Sequence, residues 1–109
     1  MSKPVPEPIT AYFRAQNAHD VDGMLAAFGP GARVRDEGRE LTGTVAIRAW
    51  IDDTTRKYQP SVTPLDVEEV AGRTVVKARV SGTFPGSPAD LRFRFEIDGR
   101  QITALEIGG

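Results

Sequence analysis

The sequence predicts an α+β domain in which three helices precede a curved antiparallel sheet. Three observations predict it. Apolar residues recur at helical spacing up to Tyr58, the period changes to that of strands from Ser61 onward, and Asp98-Gly99 is a strong hairpin signal in the second half. Pairing the strands through their turns gives one apolar face, with Thr63, Leu65, Val67, Val76, Ala78, Val80, Leu91, Phe93, Phe95, Ile97 and Ile102 on it. The opposite face carries Asp66, Glu68, Lys77, Arg79, Arg92, Arg94 and Glu96. Helices covering the apolar face of a strongly curved sheet form a cone with an internal pocket, lined by large side chains and a few polar groups.

A chain of 109 residues supports one core. The prolines at positions 4, 6 and 8 predict an extended lead-in over residues 1–8 and a single domain over 9–109. The formal charge is −1 with both signs interspersed, which argues against a nucleic-acid footprint. The absence of cysteine excludes disulfides and thiol catalysis, and the single histidine excludes a multi-histidine metal site within one chain. No metal or organic cofactor is implied. No apolar run approaches the roughly 20 residues of a membrane helix, and the N-terminus has no apolar signal region. The expectation is a soluble cytoplasmic protein without a membrane or nucleic-acid partner.

The first helix is predicted over residues 9–18, with Pro8 suited to its first turn. Ile9, Tyr12, Phe13 and Gln16 form its apolar stripe. Tyr12 is therefore buried, and its hydroxyl must find a partner there, either a backbone carbonyl or a ligand. His19-Asp20-Val21-Asp22-Gly23 breaks this helix and starts a second, with Asp20 as N-cap and His19 as a junction residue rather than a catalytic one. Val21, Met24, Leu25 and Phe28 bury the second helix, and Gly29-Pro30-Gly31 stops it.

Residues 32–36 then alternate. Arg33 and Arg35 want water, so Ala32 and Val34 face the core and Asp36 continues their apolar face. A carboxylate there is costly unless paired, which makes Asp36 a candidate proton carrier. The alternatives are a structural ion pair with Arg39, Arg48 or His19, or a role in starting the turn at Gly38. Arg39-Glu40-Leu41 forms a return strand, and Thr42 or Thr44 caps a third helix striped by Ile47, Trp50, Ile51 and Thr54. Trp50 either packs in the core or lines the pocket. Arg48, Asp52, Asp53, Arg56 and Lys57 make the helix's solvated face, and Tyr58-Gln59-Pro60 ends it.

Four strands follow, over residues 61–70, 74–84, 90–97 and 100–107. A two-residue loop at Ala71-Gly72 pairs Val67 with Val76 and Leu65 with Ala78. A like loop at Asp98-Gly99 pairs Phe95 with Ile102, Phe93 with Ala104 and Leu91 with Glu106. Glu106 thereby falls on the apolar face, either as a second pocket carboxylate or as a terminal residue reaching water.

Four stretches carry a family resemblance: Tyr12 to Asp20, Leu25-Ala26-Ala27-Phe28, Ala32 to Asp36, and Gly43-Thr44-Val45-Ala46-Ile47-Arg48. From Ile9 onward the chain resembles the nuclear transport factor 2-like (cystatin-like) superfamily, and within it the SnoaL-like polyketide cyclase and ketosteroid isomerase branch. The resemblance implies that Tyr12 polarises a substrate carbonyl and that Asp36 shuttles the proton; both align through Asn17 and Asp20 without a gap. The isomerases add a protonated aspartic acid on a later strand. Here Leu91 takes the inward phase and Asp90 is one residue off it, with Glu106 the other candidate. Loss of such a donor removes about two to four kcal/mol of transition-state stabilisation. That argues against an efficient steroid isomerase, but not against a cyclase, dehydratase or hydrolase.

The expected activity is cofactor-independent acid–base chemistry on a small hydrophobic carbonyl or hydroxyl compound. Asp36 and Tyr12 would be catalytic, and Phe13, Phe28, Trp50, Leu91, Phe93, Phe95 and Glu106 would line the pocket. The alternatives are a non-catalytic binding module or an interaction domain. Relatives dimerise through the outer sheet face, which is polar here, so the expected partner is a second copy.

Overall fold

The computed structural model describes residues 5–36 and 38–108. Of the predicted lead-in, residues 1–4 lie outside that range, while Glu7 and Pro8 already belong to the first helix. The elements run α1 (Glu7–Asn17), α2 (Val21–Ala26), β1 (Phe28–Asp36), β2 (Arg39–Thr42), α3 (Thr44–Tyr58), β3 (Ser61–Val70), β4 (Arg73–Ser81), β5 (Ala89–Asp98) and β6 (Gln101–Gly108). The six strands form one curved sheet in the order β2-β1-β6-β5-β4-β3. β1 and β6 pair parallel, and the other neighbours are antiparallel. The sheet does not close into a barrel; β2 and β3 are its free edges.

The helical stripes pack on the inner sheet face. Ile9, Tyr12 and Phe13 from α1, Met24 from α2, and Ile47, Trp50 and Ile51 from α3 are buried. They meet Val34, Val62, Val76, Ala78, Val80, Phe93, Phe95, Ile102 and Leu105 of the sheet.

The junction of α1 and α2 is locked by polar contacts. His19 adopts a left-handed conformation (φ 54°) just past the helix end, where a backbone turn satisfies the last carbonyls. Its N–H donates to the Gln16 carbonyl, and the Asp20 N–H to that of Ala15. The imidazole Nε2 lies 3.2 Å from the Pro60 carbonyl oxygen. Asn17 makes a two-way bond to the backbone of Val62: its Nδ2 donates to the carbonyl at 3.0 Å, and its Oδ1 accepts from the N–H at 2.7 Å. The carboxamide thus extends the edge of β3 and pins α1 to it. Asp20 caps α2 through the Gly23 N–H, as expected.

The structure differs from the expected elements at several points. α2 ends at Ala26, so Phe28 opens β1 instead of closing the helix, and Gly29-Pro30-Gly31 lies within the irregular first half of that strand. Neither Thr42 nor Thr44 caps α3; Gly43 holds the cap position without a side-chain bond. On β3, Val67 pairs with Val76 as expected, but Pro64 rather than Leu65 lies opposite Ala78. Proline cannot complete a ladder, and a bulge at an edge strand accommodates it. Leu65 is squeezed outward, and Val62 rather than Thr63 turns into the core.

The β5–β6 hairpin holds the largest correction. Its two-residue loop is Gly99-Arg100, because Asp98 pairs with Gln101 and Ile97 with Ile102. Ala104 then pairs with Glu96, leaving Thr103 unopposed. Phe95 consequently pairs with Leu105, and Phe93 with Ile107. A register change of this parity flips every later side chain to the other face.

Candidate active site

A cleft of about 390 Å³ opens between the helices and the inner sheet face. α1 contributes Tyr12 and Gln16, α3 contributes Trp50, Thr54 and Tyr58, and the end of β1 contributes Asp36. Leu91, Phe93 and Ile107 form its sheet wall. Phe84 and Pro85, from the β4–β5 loop, stand at one side of it.

That loop is held against the end of α3. The Thr83 N–H donates to the Tyr58 carbonyl at 2.8 Å, and its hydroxyl to the Lys57 carbonyl at 2.7 Å. Gly82 makes this approach possible, because a Cβ there would run into the Tyr58 carbonyl oxygen. The rings of Phe84 and Tyr58 then meet edge to face, 5.9 Å apart.

Asp36 sits where β1 ends, on the same face as buried Ala32 and Val34, and is half-buried. Its Oδ2 accepts from the indole N–H of Trp50 at 3.0 Å. None of the three expected ion-pair partners holds it. Arg48 bonds Asp22, His19 bonds the Pro60 carbonyl, and Arg39, its ladder neighbour, makes no salt bridge to it. Trp50 is thus buried against the core and also lines the cleft, its indole N–H donated to the Asp36 carboxylate.

Tyr12 is fully buried, and its hydroxyl has no hydrogen-bond partner among the described residues. A buried unpaired hydroxyl costs about 1–3 kcal/mol in water-free surroundings. Burial, and then the nearby Asp36 charge, push its phenol far above the ordinary tyrosine range. It is thus a hydrogen-bond donor at any working pH. The sequence offered a backbone carbonyl or a ligand as its partner, and no protein group among the described residues takes the bond.

Of the other predicted residues, Leu91 and Phe93 line the cleft. Phe13, Phe28 and Phe95 do not; they form the layer behind it, packed around the Tyr12 ring with centroids 5.5, 5.6 and 6.0 Å away. Glu106 is not a pocket carboxylate. The bulge at Thr103 turns it to the outer face opposite Arg94, where it meets Arg35 at 3.7 Å and Arg94 at 4.0 Å. Asp90 is also on the outer face and forms a two-pronged pair with Arg79 at 2.9 and 3.3 Å. The hydrogen bond from Arg79 holds its carboxyl below the usual carboxylate range. Neither acid can supply the third donor of the isomerase set. Gln16 also lines the cleft; in the sequence it stands only as one more member of the α1 stripe.

Known proteins place this geometry in context. A family model described as a SnoaL-like domain matches residues 9–105. A Sinorhizobium meliloti structure named "putative polyketide cyclase" is 36% identical, with a TM-score of 0.89 and 94% of each chain covered. A Xanthomonas campestris structure with the same wording in its name is 21% identical, with a TM-score of 0.77 over 92% of this chain and 85% of the other. A ketosteroid isomerase-like fold from Catenulispora acidiphila, 19% identical, superposes with a TM-score of 0.83 over 97% of this chain and 87% of that one. At those last two identities the likeness establishes the fold. No functionally curated protein matches the sequence. Nine elements in the expected order, and a family match over nearly the whole chain, lead to one conclusion: the chain belongs to the SnoaL-like domain family of the nuclear transport factor 2-like superfamily.

Proposed function

We propose that this protein is a cofactor-independent acid–base enzyme acting on a small, mostly apolar carbonyl compound bound in the cleft. One observation carries the reading: the partnerless Tyr12 hydroxyl and the Asp36 carboxylate, free of any salt bridge among the described residues, belong to the same cleft. A buried tyrosine hydroxyl usually finds a protein partner, and this one, with none among the described residues, is left for a ligand in our reading. The names of the Sinorhizobium and Xanthomonas neighbours agree with chemistry of this kind.

In the proposed step, Asp36 removes a proton from the carbon beside the carbonyl. The electron pair of that C–H bond moves to the carbonyl oxygen, which gains negative charge and accepts a hydrogen bond from Tyr12. Trp50 keeps the carboxylate aimed. In an isomerisation Asp36 delivers the proton to a different carbon of the conjugated enolate; in an aldol-type closure the enolate carbon attacks a second carbonyl of the same molecule, and Asp36 returns its proton to the alkoxide that forms. With Asp90 and Glu106 both outside, the cleft lacks the second acidic donor of the isomerase set, which disfavours steroid isomerisation. The outer sheet face, with its interleaved arginines and glutamates, we assign to a polar homodimer; sedimentation at high concentration tests it, and a monomer refutes it.

The test of the enzyme reading is exchange of α-hydrogens into D2O across a panel of aryl alkyl ketones, followed by proton NMR. Catalysed exchange that Asp36→Asn abolishes supports it. Saturable binding without exchange favours a non-catalytic binding module.

A further inference from the structure

A second buried polar atom, on a residue that lines the cleft, also lacks a partner among the described residues. Gln16 is more than nine-tenths buried and lines the cleft, and its Oε1 has no hydrogen bond among the described residues. It stands one helical turn from Tyr12 on the same face of α1, a spacing that puts their Cβ atoms about 5–6 Å apart. A stripe position facing an apolar core would be filled more stably by leucine or methionine, because a buried carboxamide oxygen without a partner is destabilising. Both orphaned groups are met if the ligand brings two polar atoms to this wall.

We infer that Gln16 is a specificity-determining residue that selects a hydroxylated ketone, with the carbonyl oxygen on Tyr12 and a hydroxyl one or two carbons further along on Gln16. This rests on the carbonyl reading proposed above and narrows it. Tyr12 keeps its proton, so it can donate to the carbonyl oxygen, which can only accept. A hydroxyl suits Gln16 in either orientation of the carboxamide, since it donates to Oε1 and accepts from Nε2. Leu91, Phe93 and Ile107 supply the apolar wall for the remainder of the molecule. A cleft of about 390 Å³ is near the small end of ligand sites, which span roughly 300–1,000 Å³, so a one- or two-ring compound fits.

The experiment measures dissociation constants by NMR titration for two probes of nearly equal shape, 3-hydroxy-1-phenylpropan-1-one and 1-phenylbutan-1-one. They differ by a hydroxyl in place of a methyl. The native protein is expected to favour the hydroxy ketone about five- to ten-fold, the worth of one buried hydrogen bond, although hydrophobicity alone favours the other. Gln16→Leu should reverse the preference while keeping 1-phenylbutan-1-one bound and the melting temperature the same or higher. Gln16→Met, a flexible apolar replacement, should do likewise, which guards against a packing fault in the leucine variant. Equal affinities in the native protein, or a preference that survives both substitutions, overturn the inference and leave the acid–base reading intact. Absence of saturable binding for both ketones overturns the inference together with the carbonyl reading. Loss of exchange chemistry alone does not touch it, because the readout is binding.

Discussion

Replacing Tyr12 by phenylalanine separates stability from function. The ring stays, with its contacts to Phe13, Phe28 and Phe95 at 5.5, 5.6 and 6.0 Å. The hydroxyl leaves, and with it no hydrogen bond to any of the described residues. An unsatisfied buried hydroxyl costs about 1–3 kcal/mol, part of which is offset by packing of the oxygen, so Tyr12→Phe should be neutral or more stable by about 1 kcal/mol. For a domain of this size that is a rise of about 4 °C in Tm. Exchange chemistry should fall about 10²- to 10³-fold, the loss seen when one oxyanion donor is removed. The pH dependence gives a second check. The Tyr12 phenol is raised in the folded state, so its proton stabilises the fold fully below the unfolded tyrosine value of about 10 and progressively less as pH rises beyond it. Tyr12→Phe should lack that alkaline decline. Urea unfolding at pH 7 and above pH 10, with the ketone exchange assay, reads all of this. A variant destabilised by more than 1 kcal/mol, roughly a lost hydrogen bond, would mean that the hydroxyl has a structural partner and would refute the reasoning.

Trp50→Phe keeps an aromatic ring but removes the N–H that holds Asp36 at 3.0 Å. It should lower exchange rates about ten-fold, and stability by about 1.5–3 kcal/mol, as for a bond to a charged group; unchanged exchange would deny Trp50 its orienting role. Asn17→Ala breaks both bonds to the Val62 backbone and should destabilise by about 2–3 kcal/mol in urea unfolding, since each buried bond is worth about 1 kcal/mol and one edge group is left unpaired. Asp90→Asn and Glu106→Gln alter carboxylates on the outer face. Both should leave exchange within two-fold of the native rate, about 0.4 kcal/mol; a hundred-fold loss in either would return it to the cleft.

The period of apolar residues made most of the fold legible. The stripe of Ile9, Tyr12 and Phe13, the stripe of Ile47, Trp50 and Ile51, and the alternation of Ala32, Val34 and Asp36 are local patterns, and each faces the core as read. Bulges are not local patterns. Thr103 and Leu65 are each left unopposed by the way neighbouring strands fit, and nothing in the residues around them announces it. The Thr103 bulge is why Glu106 was placed in the cleft, and the Leu65 bulge is why Thr63 and Val62 exchanged faces. The second layer was hidden for a related reason. Phe13, Phe28 and Phe95 share the inner side with Phe93, but only depth in the packed core separates wall from backing. Gln16 carried one usable signal, an amide within an apolar stripe, which is costly unless something pairs with it.

The most direct measurement is a double-mutant cycle on ketone exchange with Asp36→Asn, Tyr12→Phe and the combined variant. If the two side chains act on one transition state, each single change costs about 10²-fold or more, and the combined variant is scarcely slower than Asp36→Asn alone, because the oxyanion that Tyr12 stabilises forms only when Asp36 takes the proton. Costs that simply multiply would mean two independent roles, and native rates in Asp36→Asn would contradict the account at its centre.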